Sequence, residues 1–251
     1  MRILLIIALS LPSFPVLAEP CQADKDSTEA SRMEKSASGF GSKDYVWNRM
    51  TAERTEVLRK TGDVERGRDA FRGCRGCHKQ DGFGRVDGLY PKLTGQHASV
   101  IIKQLTDIRI GLRSNPKMAP FAAPGEVSTQ DIADIAVFLA GATTIKENGK
   151  GPGDQVRFGE ATYMQKGCNK CHGKHGEGSA EKLYPVVAAQ HYSYLLREME
   201  YIKLGIRGNS HPDMVAVLRD FSTNDMEAVA DYLSRLPDHR QARVQKSKRR
   251  R

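Results

Sequence analysis

Cys74-Arg75-Gly76-Cys77-His78 recurs as Cys168-Asn169-Lys170-Cys171-His172, an offset of 94 residues. The same offset relates Leu89-Tyr90-Pro91 to Leu183-Tyr184-Pro185 and Gln96-His97 to Gln190-His191. It also relates Gly111 to Gly205, Arg113 to Arg207 and Ser128-Thr129 to Ser222-Thr223. One register held over this length means a duplicated unit. The units are placed at about 62–145 and 153–238, joined by Asn148-Gly149-Lys150-Gly151-Pro152-Gly153, whose glycines and proline favour neither helix nor strand.

Each unit reads as helical, and no segment reads as a strand. A first helix is expected over Val64–Arg72, with Val64, Gly67, Ala70 and Phe71 on one face, and its partner over Gln155–Gln165. Glycine inside a helix costs up to about 1 kcal/mol, so Gly67 and Gly159 imply close helix–helix approach. A second helix follows Gln96 and Gln190, carrying Val100, Ile101, Leu105 and Ile108, or Tyr194, Leu195, Met199 and Ile202. Ser128 and Ser222 each precede an acidic residue by three places, the capping pattern that opens a last helix. That helix shows Ile132, Ile135, Ala136 and Leu139, with Met226, Val229, Ala230 and Leu233 as counterparts. The fold class is therefore all-α.

The chain has 251 residues, 39% of them hydrophobic and only 7% aromatic. That is thin for two self-sufficient cores, and it implies an interior filled partly by something other than side chains. Residues 1–18 read as an export signal: Arg2, the apolar run Ile3–Leu9, and Val16-Leu17-Ala18 before the cleavage point. Pro12 and Pro15 interrupt that run, which falls short of the roughly 20 apolar residues a membrane span needs. Residues 19–61 form an extension without a counterpart in the second unit. Its first part is polar, while Val46, Met50, Val57 and Leu58 suggest a helix within 43–60 that packs on the first unit.

Cys21 is left over from the two motifs, so an intermolecular disulfide or a free thiol is expected of it. The formal net charge is +9, and part of it sits in the tail 239–251, with Lys246, Lys248 and Arg249 to Arg251. Such a tail can make weak contact with a membrane surface or an acidic protein, although a solvated end is the plainer reading. An exported chain is a poor candidate for nucleic-acid binding.

Cys-x-x-Cys-His is the attachment pattern of c-type haem. Two cysteines three residues apart can each form a thioether with a porphyrin vinyl group, and the adjacent histidine can then ligate iron. Zinc would need four ligands at compatible spacings, and a thioredoxin-like pair would need a βαβ context. Two such motifs in a duplicated helical unit imply two covalently bound haem c groups, held by Cys74, Cys77, Cys168 and Cys171, with His78 and His172 on the irons.

The opposite iron face needs a ligand from later in each unit. Met118 lies 40 residues after His78, and Met214 lies 42 after His172, both in proline-containing segments read as loops. A thioether there favours Fe(II) and fills the last coordination position. The two methionines are two places out of register, and His211 is a near rival to Met214. Met164, Met199 and Met226 are expected as core fillers. His97 and His191 are expected to cap or orient the second helices, and His175 and His239 to lie at the surface. Arg113 and Arg207 are candidates for haem propionates or for solvent.

These residues resemble the cytochrome c4 family of periplasmic dihaem cytochromes. The two Cys-x-x-Cys-His sites, the Leu-Tyr-Pro and Gln-His segments, the Gly-x-Arg turns and the late methionines carry the resemblance over residues 62–237. It implies two tandem class I cytochrome c domains, each wrapped around a covalent haem, in a periplasmic electron carrier rather than an enzyme. The implied redox partners are a quinol-oxidising complex or dehydrogenase as donor and a terminal oxidase as acceptor. A dihaem enzyme of the thiosulfate dehydrogenase or peroxidase type would need a displaceable iron ligand, and the spare Cys21 lies outside both units. A dedicated subunit of one dehydrogenase is the other alternative.

Overall fold

Ser128 and Ser222 close the capping boxes expected of them: each side chain accepts from the N–H three residues on, and Asp131 or Asp225 accepts in return. The computed structural model describes residues 45–144 and 146–238. The leader 1–18, the extension as far as residue 44 with Cys21, and the tail 239–251 with His239 lie outside the described residues.

In chain order the helices are α1 (Ala52–Arg59), α2 (Val64–Ala70), α3 (Arg75–His78), α4 (Ala98–Arg109), α5 (Ala119–Ala122) and α6 (Thr129–Gly141), then α7 (Val156–Gln165), α8 (Asn169–His172), α9 (Tyr192–Lys203), α10 (Pro212–Arg219) and α11 (Thr223–Arg235). From α2 to α6 and from α7 to α11 the same order repeats. Among the described residues there is no strand, only an isolated bridge between Ser179 and Tyr184. No described helix is long and apolar enough to cross a membrane.

The glycines do what their position in a helix implied. A Cβ on Gly67 would collide with the Asp134 carbonyl of α6, and one on Gly159 with the Ala228 carbonyl of α11. Each crossing thus brings two backbones into contact, at the conformational cost that glycine carries. Ile132, Ile135, Ala136 and Leu139 are buried on α6, as are Met226, Val229, Ala230 and Leu233 on α11. Each unit has its own apolar cluster, one around Phe71, Ile101 and Leu139 and the other around Tyr163, Leu218 and Phe221.

Several expectations need correction. The first helix stops at Ala70 and continues as a 3-10 turn, Phe71–Cys74, which delivers Cys74 to the motif, and Val64 is exposed. Met164 is also exposed, whereas Met199 and Met226 are core residues. Among the described residues of the extension the helix is α1, and its buried residues are Arg54 and Val57. Val46, Met50 and Leu58 face solvent. Arg54 donates to Asp107 and to Thr106 Oγ1 on α4, so the helix seats on a charge pair together with Val57, which joins the first apolar cluster. The linker is no free tether either, since Asn148 donates to the Gln190 and Ser234 carbonyls at 3.0 and 2.8 Å.

Candidate haem sites

Cys74 ends the 3-10 turn and α3 carries the rest of its motif, while Cys168 precedes α8, which carries the second. In both, the chain leaves the histidine through a residue with positive φ, Lys79 at 65° and Gly173 at 79°. The four motif cysteines are free thiols, and Cys74 and Cys168 each lie against the apolar cluster of their own unit. Burial pushes the Cys168 thiol up to about 11 and raises Cys74 as well, so both are neutral thiols.

The two histidines are held alike. Nδ1 of His78 lies 3.4 Å from the Pro91 carbonyl, and Nδ1 of His172 lies 3.2 Å from the Pro185 carbonyl. Donation to a carbonyl places the proton on Nδ1 and leaves the Nε2 lone pair for a ligand. Desolvation lowers the pKa of both rings, and the nearby cations of Arg113 and Arg207 add to it. Both imidazoles are therefore neutral at pH 7, the form that binds iron. Tyr90 and Tyr184 from the two Leu-Tyr-Pro segments lie beside the second cysteines. A hydrogen bond to Cys77 raises the Tyr90 pKa, while Tyr184 is raised first by burial and then by Cys171.

This donor set fits one thioether-bound haem in each unit: two unpaired thiols, a neutral imidazole with Nε2 available, and an apolar wall behind the first cysteine. It does not fit a zinc site. Among the described residues no group of three or more His, Cys, Asp or Glu side chains could hold a metal ion.

Met118 immediately precedes α5, half-buried, its N–H donating to the Asn115 carbonyl at 3.0 Å. Met214 is not in a loop: it is the third residue of α10, half-buried against the second apolar cluster. In the 94-residue register α10 starts one place earlier than α5, so Met118 stands just before its helix and Met214 inside its own. His211 is engaged elsewhere, since its Nδ1 accepts from the Asp213 N–H at 3.1 Å as the cap of α10. Its ring also stands edge-on to Trp47, with centroids 4.9 Å apart.

Neither His97 nor His191 caps a helix with its side chain. Each crosses to the other unit instead, His97 Nε2 to the Glu177 carbonyl at 2.9 Å and His191 Nε2 to the Phe83 carbonyl at 2.8 Å. Arg113 and Arg207 are not solvated: both reach Glu198, at 3.2 and 2.6 Å. His175 is at the surface as expected. The sequence reading missed Trp47, Arg54, Lys103, Asp107 and Glu198. Asp107 is fully buried between Arg54 and Lys103, and Asn209 of the second unit donates to it at 2.8 Å. The 103/107 spacing was the only available signal, and it ordinarily marks an exposed helix pair.

The Cytochrome c family matches the chain at residues 64–143 and 156–237. Cytochrome c4 of Thiocapsa roseopersicina is 31% identical over 188 residues, covering 70% of this chain and 94% of that protein. The thiosulfate dehydrogenase electron acceptor of Stutzerimonas stutzeri strain A1501 is 31% identical over 170 residues, covering 64% and 77%. The crystal structure of reduced recombinant cytochrome c4 from Pseudomonas stutzeri superposes with a TM-score of 0.63 at 26% identity, covering 70% of this chain and 100% of that one.

Proposed function

Because the chain belongs to the cytochrome c4 family of two-haem electron carriers, we propose that it passes single electrons from a dehydrogenase or quinol-oxidising complex to a terminal oxidase in the periplasm. The haem-binding domains of this reading are 62–145 and 153–238. His78 and Met118 would hold one iron, and His172 and Met214 the other. When bound, each haem supplies a one-electron Fe(II)/Fe(III) couple.

The observation that carries the reading is the matched treatment of the two histidines, each held through Nδ1 by a proline carbonyl and kept neutral by desolvation. The residues do the rest. Cys74, Cys77, Cys168 and Cys171 would anchor the haems, the apolar clusters lie behind Cys74 and Cys168, and the late methionines would fill the position a substrate needs. Such occupancy would suit a carrier rather than a catalyst. The likeness to a protein named as the electron acceptor of thiosulfate dehydrogenase supports a dehydrogenase as donor.

The test is stopped-flow mixing of the reduced, haem-loaded protein with a terminal oxidase, and of the oxidised protein with a thiosulfate-oxidising dehydrogenase and its substrate. Rapid exchange that slows with ionic strength is expected for a small, charge-steered redox encounter. Turnover of thiosulfate or peroxide by the protein alone would replace the carrier with an enzyme.

A further inference from the structure

We propose that each unit sets the electron-donating strength of the other unit's haem histidine, through peptide groups that Gln96, His97, Gln190 and His191 grip across the interface. The inference rests on the reading of His78 and His172 as iron ligands and goes beyond it, because it assigns a positioning role to residues that touch neither the thioether cysteines nor the ligands.

The contacts form a reciprocal set in the 94-residue register. Gln190 Oε1 accepts from the Lys92 N–H and Gln190 Nε2 donates to the Lys92 carbonyl, both at 2.8 Å. Gln96 does the same to Val186, at 2.9 and 3.0 Å. His191 Nε2 donates to the Phe83 carbonyl, and its tautomer is fixed because Nδ1 accepts from the Gly149 N–H at 3.0 Å. His97 Nε2 makes the equivalent bond to Glu177.

Four of the six gripped groups, the Lys92 and Val186 N–H and the Phe83 and Glu177 carbonyls, belong to peptides whose other end bonds a haem histidine. The Lys92 N–H belongs to the Pro91–Lys92 peptide, whose carbonyl accepts from His78 Nδ1. The Phe83 carbonyl belongs to the Phe83–Gly84 peptide, whose N–H donates to the His78 carbonyl at 2.9 Å. In the other unit Val186 N–H shares a peptide with the Pro185 carbonyl on His172 Nδ1, and Gly178 N–H donates to the His172 carbonyl at 2.8 Å. A peptide is planar, so fixing one end aims the other.

An amide whose N–H is hydrogen-bonded is also polarised, which makes its oxygen a better acceptor. A better acceptor on Nδ1–H makes Nε2 a stronger donor, and a stronger donor favours Fe(III) and lowers the potential. Loss of Gln190 therefore weakens the ligand field from His78 in the first unit, and loss of Gln96 weakens that from His172 in the second.

The test is spectroelectrochemical titration of the haem-loaded full chain carrying Gln190→Met, Gln96→Met or both. Each single variant is expected to raise one of the two midpoint potentials, a different one in each case. The expected size is a threefold to tenfold change in the reduced-to-oxidised ratio at fixed potential, a tenfold change being about 59 mV for one electron. The Nδ1–H proton resonance of one axial histidine should move upfield in the same variant. The double variant should move both.

Unmoved potentials, or both moving together in each single variant, would overturn the proposal. If the methionine variants do not accumulate with two haems, Gln190→Asn and Gln96→Asn keep the amide but withdraw it from Lys92 and Val186, and the same two outcomes decide. The unsubstituted protein separates the two levels of the argument. A spectrum without low-spin His/Met haem there removes the ligand reading, whereas an intact spectrum with unmoved variants removes only the cross-unit control.

Discussion

Trp47 stacks on Tyr184 with ring centroids 5.8 Å apart and planes 16° from parallel. The extension thereby covers the second unit at the tyrosine beside Cys171, and Tyr45 reinforces it by donating to the Ser210 carbonyl at 2.8 Å. Trp47 is the only tryptophan in the chain. Its emission in the haem-loaded protein should be strongly quenched by energy transfer to the haem near Cys171. Emission should rise several-fold when guanidinium unfolds the chain. A bright native tryptophan would mean that the extension does not sit there.

Lys79 leaves α3 with φ 65° and ψ 165°, a region that side chains avoid. Such a residue stores about 1–3 kcal/mol of strain, and the matching position in the second unit is Gly173. Lys79→Gly should therefore stabilise the protein by about 1 kcal/mol after glycine's entropic cost. The denaturant midpoint measures it, and a lower midpoint would contradict the strain.

Asp107 is the one carboxylate between the buried Arg54 and Lys103. Asp107→Leu leaves two cations without their partner, and breaking a buried pair this way costs about 3–5 kcal/mol. Because Asn209 also binds Asp107, the variant should loosen the two units together with α1. Chemical denaturation and proteolysis between Arg59 and Gly62 would register both effects.

Burial lowers the Lys103 pKa to about 8, with Arg54 and Arg207 adding to it and Asp107 opposing. The folded value lies below the unfolded one of about 10.4. Between these values the unfolded chain binds more protons, so stability from this residue rises with pH across that window and is flat below about 8. The difference in unfolding free energy between the native protein and Lys103→Met should show that slope, and a decline with rising pH would reverse the sign.

The motifs, the duplication, the capping serines and the core faces of α6 and α11 were all legible, because each depends on residues close together in sequence. The cross-unit contacts were not. His97 and His191 bind carbonyls of Glu177 and Phe83, and a backbone oxygen leaves no trace in residue type. Arg54 was hidden for a related reason: a charge on a short polar helix reads as solvated until its partner on α4 is known. Met214 was recognised as a candidate, but its helix was not, since Pro212 looked like loop chemistry when it is the first residue of α10.

Met118→Ala and Met214→Ala should each open one iron, giving one carbon monoxide bound per reduced protein and a lower potential at that site. His211→Ala should leave the haem spectra unchanged, because the ring caps α10 and packs on Trp47. A lost or altered spectrum would return His211 to the iron.

The most direct measurement is the optical spectrum of the unsubstituted protein in both oxidation states, combined with carbon monoxide titration after reduction. Two covalent low-spin haems, a far-red methionine–iron band for both, and no carbon monoxide uptake are predicted. Stoichiometric carbon monoxide binding or a high-spin signal at either site would contradict the account.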